Sequence, residues 1–314
     1  MSGTFPSFSA PGKIFLAGEY GVLAGGTAVV AAVDRRATAR FVSGGAPATP
    51  LVEQVMAAVG AELGAALPEG APEIDSSPLA GGEGKLGLGS SAAVAAAGVA
   101  VLLAAAGVDP EVERQRTLTL ADRAHRAAQG GRGSGADVAS AVFGGVIAYA
   151  RHPDGPARIE PLGPSPVEVI VFSAGAPRLT VDGIRALETF AAHAPEQHRL
   201  RMEQIAAAAD RFAGAWRAAD AASVVAAARG AGTALGDLGR EANIEIWTDP
   251  VRSAAALAHD LGGTAKPSGA GGGDVGVAFL PDGRAAERFR AAASALQVRI
   301  LAIQIAAPGL SRVP

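Results

Sequence analysis

Lysine stands at three positions of the 314-residue chain, Lys13, Lys85 and Lys266, and arginine supplies the other 24 of its 27 basic residues. Each lysine adjoins a glycine-rich segment: Ala10-Pro11-Gly12-Lys13, Gly84-Lys85-Leu86-Gly87-Leu88-Gly89-Ser90-Ser91, and Lys266-Pro267-Ser268-Gly269-Ala270-Gly271-Gly272-Gly273-Asp274. An ammonium is a compact point charge on a slim stem, whereas a guanidinium is a broad planar fork. Successive backbone amides in such turns form anion-binding concavities. Point charges beside flexible, amide-exposing loops suit the handling of phosphate. The sharpest local pattern is Leu86 to Ala93, whose glycines let backbone approach a ligand closely. A helix starting at Ser90-Ser91 would turn free amides and a positive dipole end toward an anion. The serine hydroxyls could reach a phosphate or a magnesium ion, or could cap the helix. Gly133-Ser134-Gly135-Ala136-Asp137 sets one carboxylate after a flexible turn, where it could orient a nucleophile, stabilise a metal or cap a helix.

Apolar periodicity indicates the elements that must position these groups. Lys13 to Tyr20 and Thr27 to Asp34 are short apolar runs bounded by glycine and read as strands, with 36–42 continuing by alternation. Helices are expected over 51–67, from Ser90 to about Ala106, and from Asp109-Pro110-Glu111 to Gln129, with the proline in the first turn. A short helix then reaches Phe143, and Val146 to Ala150 is a strand. The glycine- and proline-rich stretches 71–84 and 153–166 read as loops. The second places a boundary near Gly163, giving domains 1–163 and 164–314. Beyond it, strands are expected at 167–173, 275–280 and 298–306, and helices near 181–193, 197–213, 219–237, 249–261 and 285–296. The fold class is α+β, with a ferredoxin-like second half.

Composition excludes several functions. Net charge is −3 with no basic stripe, so no nucleic-acid partner is expected. The absence of cysteine removes disulfides, thiolate metal sites and a cysteine nucleophile. The five histidines form no metal pair at helical spacing. Ala92 to Gly107 is apolar but alanine-rich and short for a membrane span. The N-terminal residues lack the pattern of a signal peptide. A soluble, cytoplasmic protein without a membrane partner is expected. No Walker A sequence occurs. Gly271 to Gly276 matches Gly-x-Gly-x-x-Gly but leads into a strand, where a dinucleotide fingerprint must open a helix.

Ser9 to Lys13 with Ala17-Gly18-Glu19-Tyr20, then Gly87 to Ala93, then Lys266 to Asp274, resemble in order the three motifs of the GHMP kinase family. The resemblance spans essentially the whole chain. It implies an N-terminal domain of ribosomal-protein-S5-like topology, a C-terminal ferredoxin-like domain, and ATP and substrate in the cleft between them. Within the family the chain is most similar to the members that phosphorylate 5-phosphomevalonate. Tyr20 after Gly18-Glu19, Lys85 before the second motif, and Ala124-His125-Arg126-Ala127-Ala128-Gln129-Gly130 leading into the Asp137 motif carry that likeness. The resemblance implies an ATP-dependent, Mg²⁺-using phosphotransferase, a monomer or homodimer, with Lys13 and Asp137 catalytic. Lys85, Gly87, Leu88, Gly89, Ser90, Ser91 and Ala92 would bind the nucleotide, Ser91 also contacting the metal. Glu19, Tyr20, Ser134, Gly135, Lys266, Ser268, Gly269 and Ala270 would face the substrate, although Glu19 could instead pair with an arginine. Mevalonate as acceptor, or an inactive ligand-binding protein, are the alternatives. A phosphate acceptor needs added cations, for which Lys85, Lys266, Arg132 and Arg178 are the candidates. His125 stands as a structural residue or a contributor to the metal site.

Overall fold

The structure, a computed structural model, describes residues 5–64, 67–81, 84–152, 155–175, 180–272 and 275–314. Arg178, Gly273 and Asp274 lie outside the described residues, as does the side chain of Lys85. The chain packs into two compact units, each discontinuous in sequence. One comprises Met1–Lys13, Ala31–Gly145 and Gln304–Pro314, the other Ile14–Val30 and Val146–Ile303. A single cut near Gly163 therefore does not describe the partition. The chain passes from one unit to the other inside its first two strands, β1 (Phe8–Ala17) and β2 (Ala28–Ser43).

In the first unit, Thr49 caps α1 (Pro50–Leu63), its Oγ1 accepting from Val52 N at 3.3 Å. Next, β3 (Gly70–Asp75) pairs antiparallel with the end of β2, from Thr38↔Asp75 to Ser43↔Gly70. This stretch read as loop because Pro72 and Gly70 obscure its alternation; proline is tolerated on an edge strand. The short strands β4 (Ala80–Gly81) and β5 (Gly84–Lys85) pair with each other. Then α2 (Ser90–Ala105) buries residues on every side from Ala92 to Leu103, as a helix apolar all round must. No described helix is long and apolar enough to cross a membrane. The next helix, α3 (Arg114–Ala128), starts later than Pro110, because Asp109 Oδ1 accepts from Glu111 N at 2.9 Å and holds a turn there. The short α4 (Ala136–Phe143) follows Gly135, whose φ of 86° is left-handed.

The second unit opens with the end of β1, a 3₁₀ turn at Gly21–Ala24 and the start of β2. A hairpin of β6 (Val146–Ala150) and β7 (Arg158–Pro161) follows, the latter inside the stretch expected as loop. Next come β8 (Glu168–Ser173), α5 (Thr180–His193), α6 (Pro195–Arg217), α7 (Ala221–Glu241), α8 (Asp249–Asp260), β9 (Thr264–Ser268), β10 (Val275–Leu280), α9 (Gly283–Ala293) and β11 (Arg299–Ile300). The sheet order is β11-β8-β10-β9, all antiparallel. All six residues of β10 are buried, so both its faces need cover. Ala278 and Leu280 join a core with Val251, Ala254 and Phe289. Phe279 meets Phe212 edge-on, with ring centroids 5.4 Å apart. A strand over 298–306 is not formed beyond Ile300, because the chain there returns to the first unit. Gln304 N donates to Asp34 Oδ1 at 3.1 Å, Ile305 bridges Val33, and β12 (Ser311–Arg312) pairs with β1 at Phe8↔Arg312.

Candidate active site

Lys13 lies on a strand, not in a loop, and its surroundings explain the glycines of the second motif. Its backbone N donates to Leu88 O at 2.8 Å, and its Nζ reaches Gly87 O at 3.5 Å. Gly89 has φ 72° and ψ 37°, a left-handed conformation that L side chains rarely adopt. A Cβ there would fall 2.9 Å from both Cγ and Cε of Lys13. The bare glycine thus seats the lysine stem. Gly89 is also the N-cap of α2 and gives it no side-chain cap, so the first turn keeps its positive end for an anion. Ser90 and Ser91 occupy that turn. The hydroxyl of Ser91 does not cap the helix; it lies 3.0 Å from His125 Nε2.

His125 sits in the last turn of α3 and is 2% exposed. Gln129 Nε2 stands 2.9 Å from the same imidazole nitrogen, and Asp137 Oδ2 3.8 Å from it. Asp137 is in the first turn of α4, where its Oδ1 accepts from Val138 N at 3.0 Å. Ser134 Oγ accepts from Ala136 N at 3.2 Å and so shapes the turn that presents Asp137. Gly135 supplies that turn's left-handed residue. The first unit therefore gathers a hydroxyl and a carboxylate around one buried imidazole. Among the described residues no three His, Asp or Glu side chains converge as a metal cage. A hydroxyl in the first turn of α2 and a carboxylate in the first turn of α4, both beside His125 Nε2, do fit Mg²⁺ carried on nucleotide phosphates, since that ion keeps several waters and takes few protein ligands. Arg132 is exposed nearby in sequence.

The second unit holds the other expected site residues. Lys266, expected to meet a phosphate, is fully buried on β9. Its Nζ donates to Glu19 Oε1 at 2.5 Å and to Pro267 O at 2.8 Å. Neither charge is open to solvent, because the strand that carries the lysine turns its side chain inward. Ser268 Oγ accepts from Phe15 N at 3.0 Å and donates to Phe15 O at 2.9 Å. Tyr20 Oη donates to Ala270 O at 2.8 Å. Burial, then the Glu19 carboxylate, push the phenol well above its ordinary pKa, so it remains a donor. Tyr20 has φ 61°, unusual for a bulky residue and a mark of local strain. Gly269 and Ala270 are half-buried, and Gly269 has a left-handed φ of 78°. The ends of the first motif and the third motif are thus joined by three side-chain links. Sequence reasoning singled out the residues but not these pairings.

A family model described as the GHMP kinases N terminal domain matches residues 51–145. The phosphomevalonate kinase of Streptomyces sp. (strain CL190) is 28% identical, covering 86% of this chain and 88% of that protein. The mevalonate kinase of Aeropyrum pernix is 33% identical, but over 55% of this chain and 59% of that protein. Among solved structures, Streptococcus pneumoniae phosphomevalonate kinase in complex with phosphomevalonate and AMPPNP superposes with a TM-score of 0.83. It is 19% identical and covers 95% of this chain and 99% of that one. This likeness extends the fold over both units.

Proposed function

We propose that this chain, whose residues 51–145 match the GHMP kinases N terminal domain, transfers the γ-phosphoryl group of ATP to 5-phosphomevalonate, giving 5-diphosphomevalonate and ADP. The observation that carries the acceptor is the alignment with the Streptomyces phosphomevalonate kinase across most of both chains. Phosphoryl transfer depends on positioning and charge neutralisation more than on covalent chemistry. The uncapped start of α2 and the Gly87–Gly89 turn would bind the nucleotide phosphates. Lys13, its stem seated on Gly89, would place its ammonium against the transferring group. Mg²⁺ bound with ATP supplies further neutralisation of phosphate oxygens, with Ser91 as the hydroxyl that would hold it. Asp137 would orient the acceptor and the lysine. A phosphate monoester has its second pKa near ~6 and is largely a dianion at neutral pH, so it needs orientation more than a base. An alcohol acceptor would need its proton removed.

The test is ADP release with Mg²⁺ and either 5-phosphomevalonate or mevalonate, with an acceptor-free control. Turnover is expected with 5-phosphomevalonate, falling by orders of magnitude in Asp137→Asn without recovery at higher pH. Faster turnover with mevalonate would reassign the acceptor. No acceptor-dependent release with either would overturn the kinase reading.

A further inference from the structure

The imidazole of His125 is a buried group that this chemistry leaves unused. One of its nitrogens, Nδ1, has no hydrogen-bond partner among the described residues, and an unpaired buried polar atom in a native structure calls for a reason. The other, Nε2, is crowded, with Gln129 Nε2 at 2.9 Å and Ser91 Oγ at 3.0 Å. An amide nitrogen can only donate, so Nε2 of the ring is the acceptor and the ring hydrogen sits on the unpartnered Nδ1. Ser91 Oγ, at 3.0 Å, then shares the single Nε2 lone pair with Gln129 as its second donor. A hydroxyl that has given its hydrogen to the imidazole has only lone pairs left to offer. We propose that His125 is a positioning residue that fixes the Ser91 hydroxyl with its lone pairs free for the cation bound with the nucleotide, and that Gln129 holds the ring in the accepting state. This inference rests on the kinase reading above, but not on the identity of the acceptor.

Outer partners that orient metal ligands typically alter metal affinity by about 10–100-fold when removed. The experiment measures Mn²⁺ binding by electron paramagnetic resonance with a non-hydrolysable ATP analogue and no acceptor, and binding of the metal-free analogue by calorimetry. His125→Leu should weaken Mn²⁺ binding by roughly 10-fold while metal-free analogue affinity stays within about twofold. His125→Gln, which keeps an acceptor at a similar reach, should restore most of the loss. In a Ser91→Ala background, His125→Leu should add nothing. Gln129 is exposed, so Gln129→Met should fold normally and show a partial loss in the same direction. Unchanged Mn²⁺ binding in Gln129→Met, or in a folded His125→Leu, would overturn the proposal. So would equal losses with and without metal, which would mark His125 as merely structural. Wild-type protein that binds no Mn²⁺–analogue complex would instead overturn the kinase reading, and this inference with it.

Discussion

The pair Glu19–Lys266 shows how a residue's chemistry depends on where its charge ends up. Both side chains are almost wholly excluded from solvent, and the second oxygen of Glu19, Oε2, has no partner among the described residues. Desolvating two charges consumes most of what their attraction returns, so the pair adds little net stability over a well-packed apolar replacement. Removing one partner is different, because it strands the other charge in the interior. Lys266→Met and Glu19→Leu are each expected to destabilise the protein by about 3–5 kcal/mol. The double variant should lie well short of their sum. Urea unfolding of the four proteins measures this coupling. Additive losses would mean the two charges do not depend on each other. A Lys266→Met variant of normal stability with weakened phosphate binding would return the lysine to the role its glycine-rich neighbourhood first suggested.

At the scale of elements, the sequence was most legible where burial is complete. Residues 92–103 in α2 and the whole of β10 are apolar throughout, and both are formed close to their expected limits. Of the missed strands, β3, β7 and β9 contain Pro72, Pro161 and Pro267, and proline next to glycine or charge resembles a loop when seen without its partner strand. The candidate site was legible as residue types near turns, but not as pairings. The partner of Lys266 lies 247 positions away, and no local pattern announces it. Arg36 was missed for the same reason. Its Nε donates to Ser9 Oγ at 2.9 Å, Nη1 to Pro308 O at 2.7 Å, and Nη2 to Ser9 O and Gly309 O, each at 2.8 Å. Partial burial lowers its pKa from the usual guanidinium value. This fork ties the C-terminal segment beside β1. Hydrogen bonds to a charged group are worth about 1.5–3 kcal/mol each at most in net terms, and less where solvent screens them. Arg36→Lys offers a point charge in place of the fork. It should therefore lower the melting temperature almost as much as Arg36→Met, with early proteolysis of the C-terminal segment. Full stability in Arg36→Lys would show that charge alone holds the segment.

At the scale of the whole molecule, the two units are not two consecutive lengths of chain. The first needs Gln304–Pro314, and the second needs Ile14–Val30. A cut near Gly163 would separate both from their units. Fragment 1–163 would lose β12 and the carbonyls of Pro308 and Gly309 that Arg36 binds. Fragment 164–314 would keep Lys266 but lose Glu19, and would lose the Phe15 backbone groups that Ser268 binds. It would also lose Gly163 O, the acceptor of the Trp216 indole N–H at 3.3 Å. Each fragment is thus left with buried polar groups unpaired, and each such group costs about 1–3 kcal/mol, more if charged. Domain stabilities are only about 5–15 kcal/mol, so several such losses suffice to prevent folding. Separately expressed fragments are expected to lack cooperative unfolding transitions in calorimetry, and mixing them is expected to restore one. A sharp transition in fragment 164–314 alone would show that the second unit folds without Ile14–Val30, and that the links between the first and third motifs are not needed to form it.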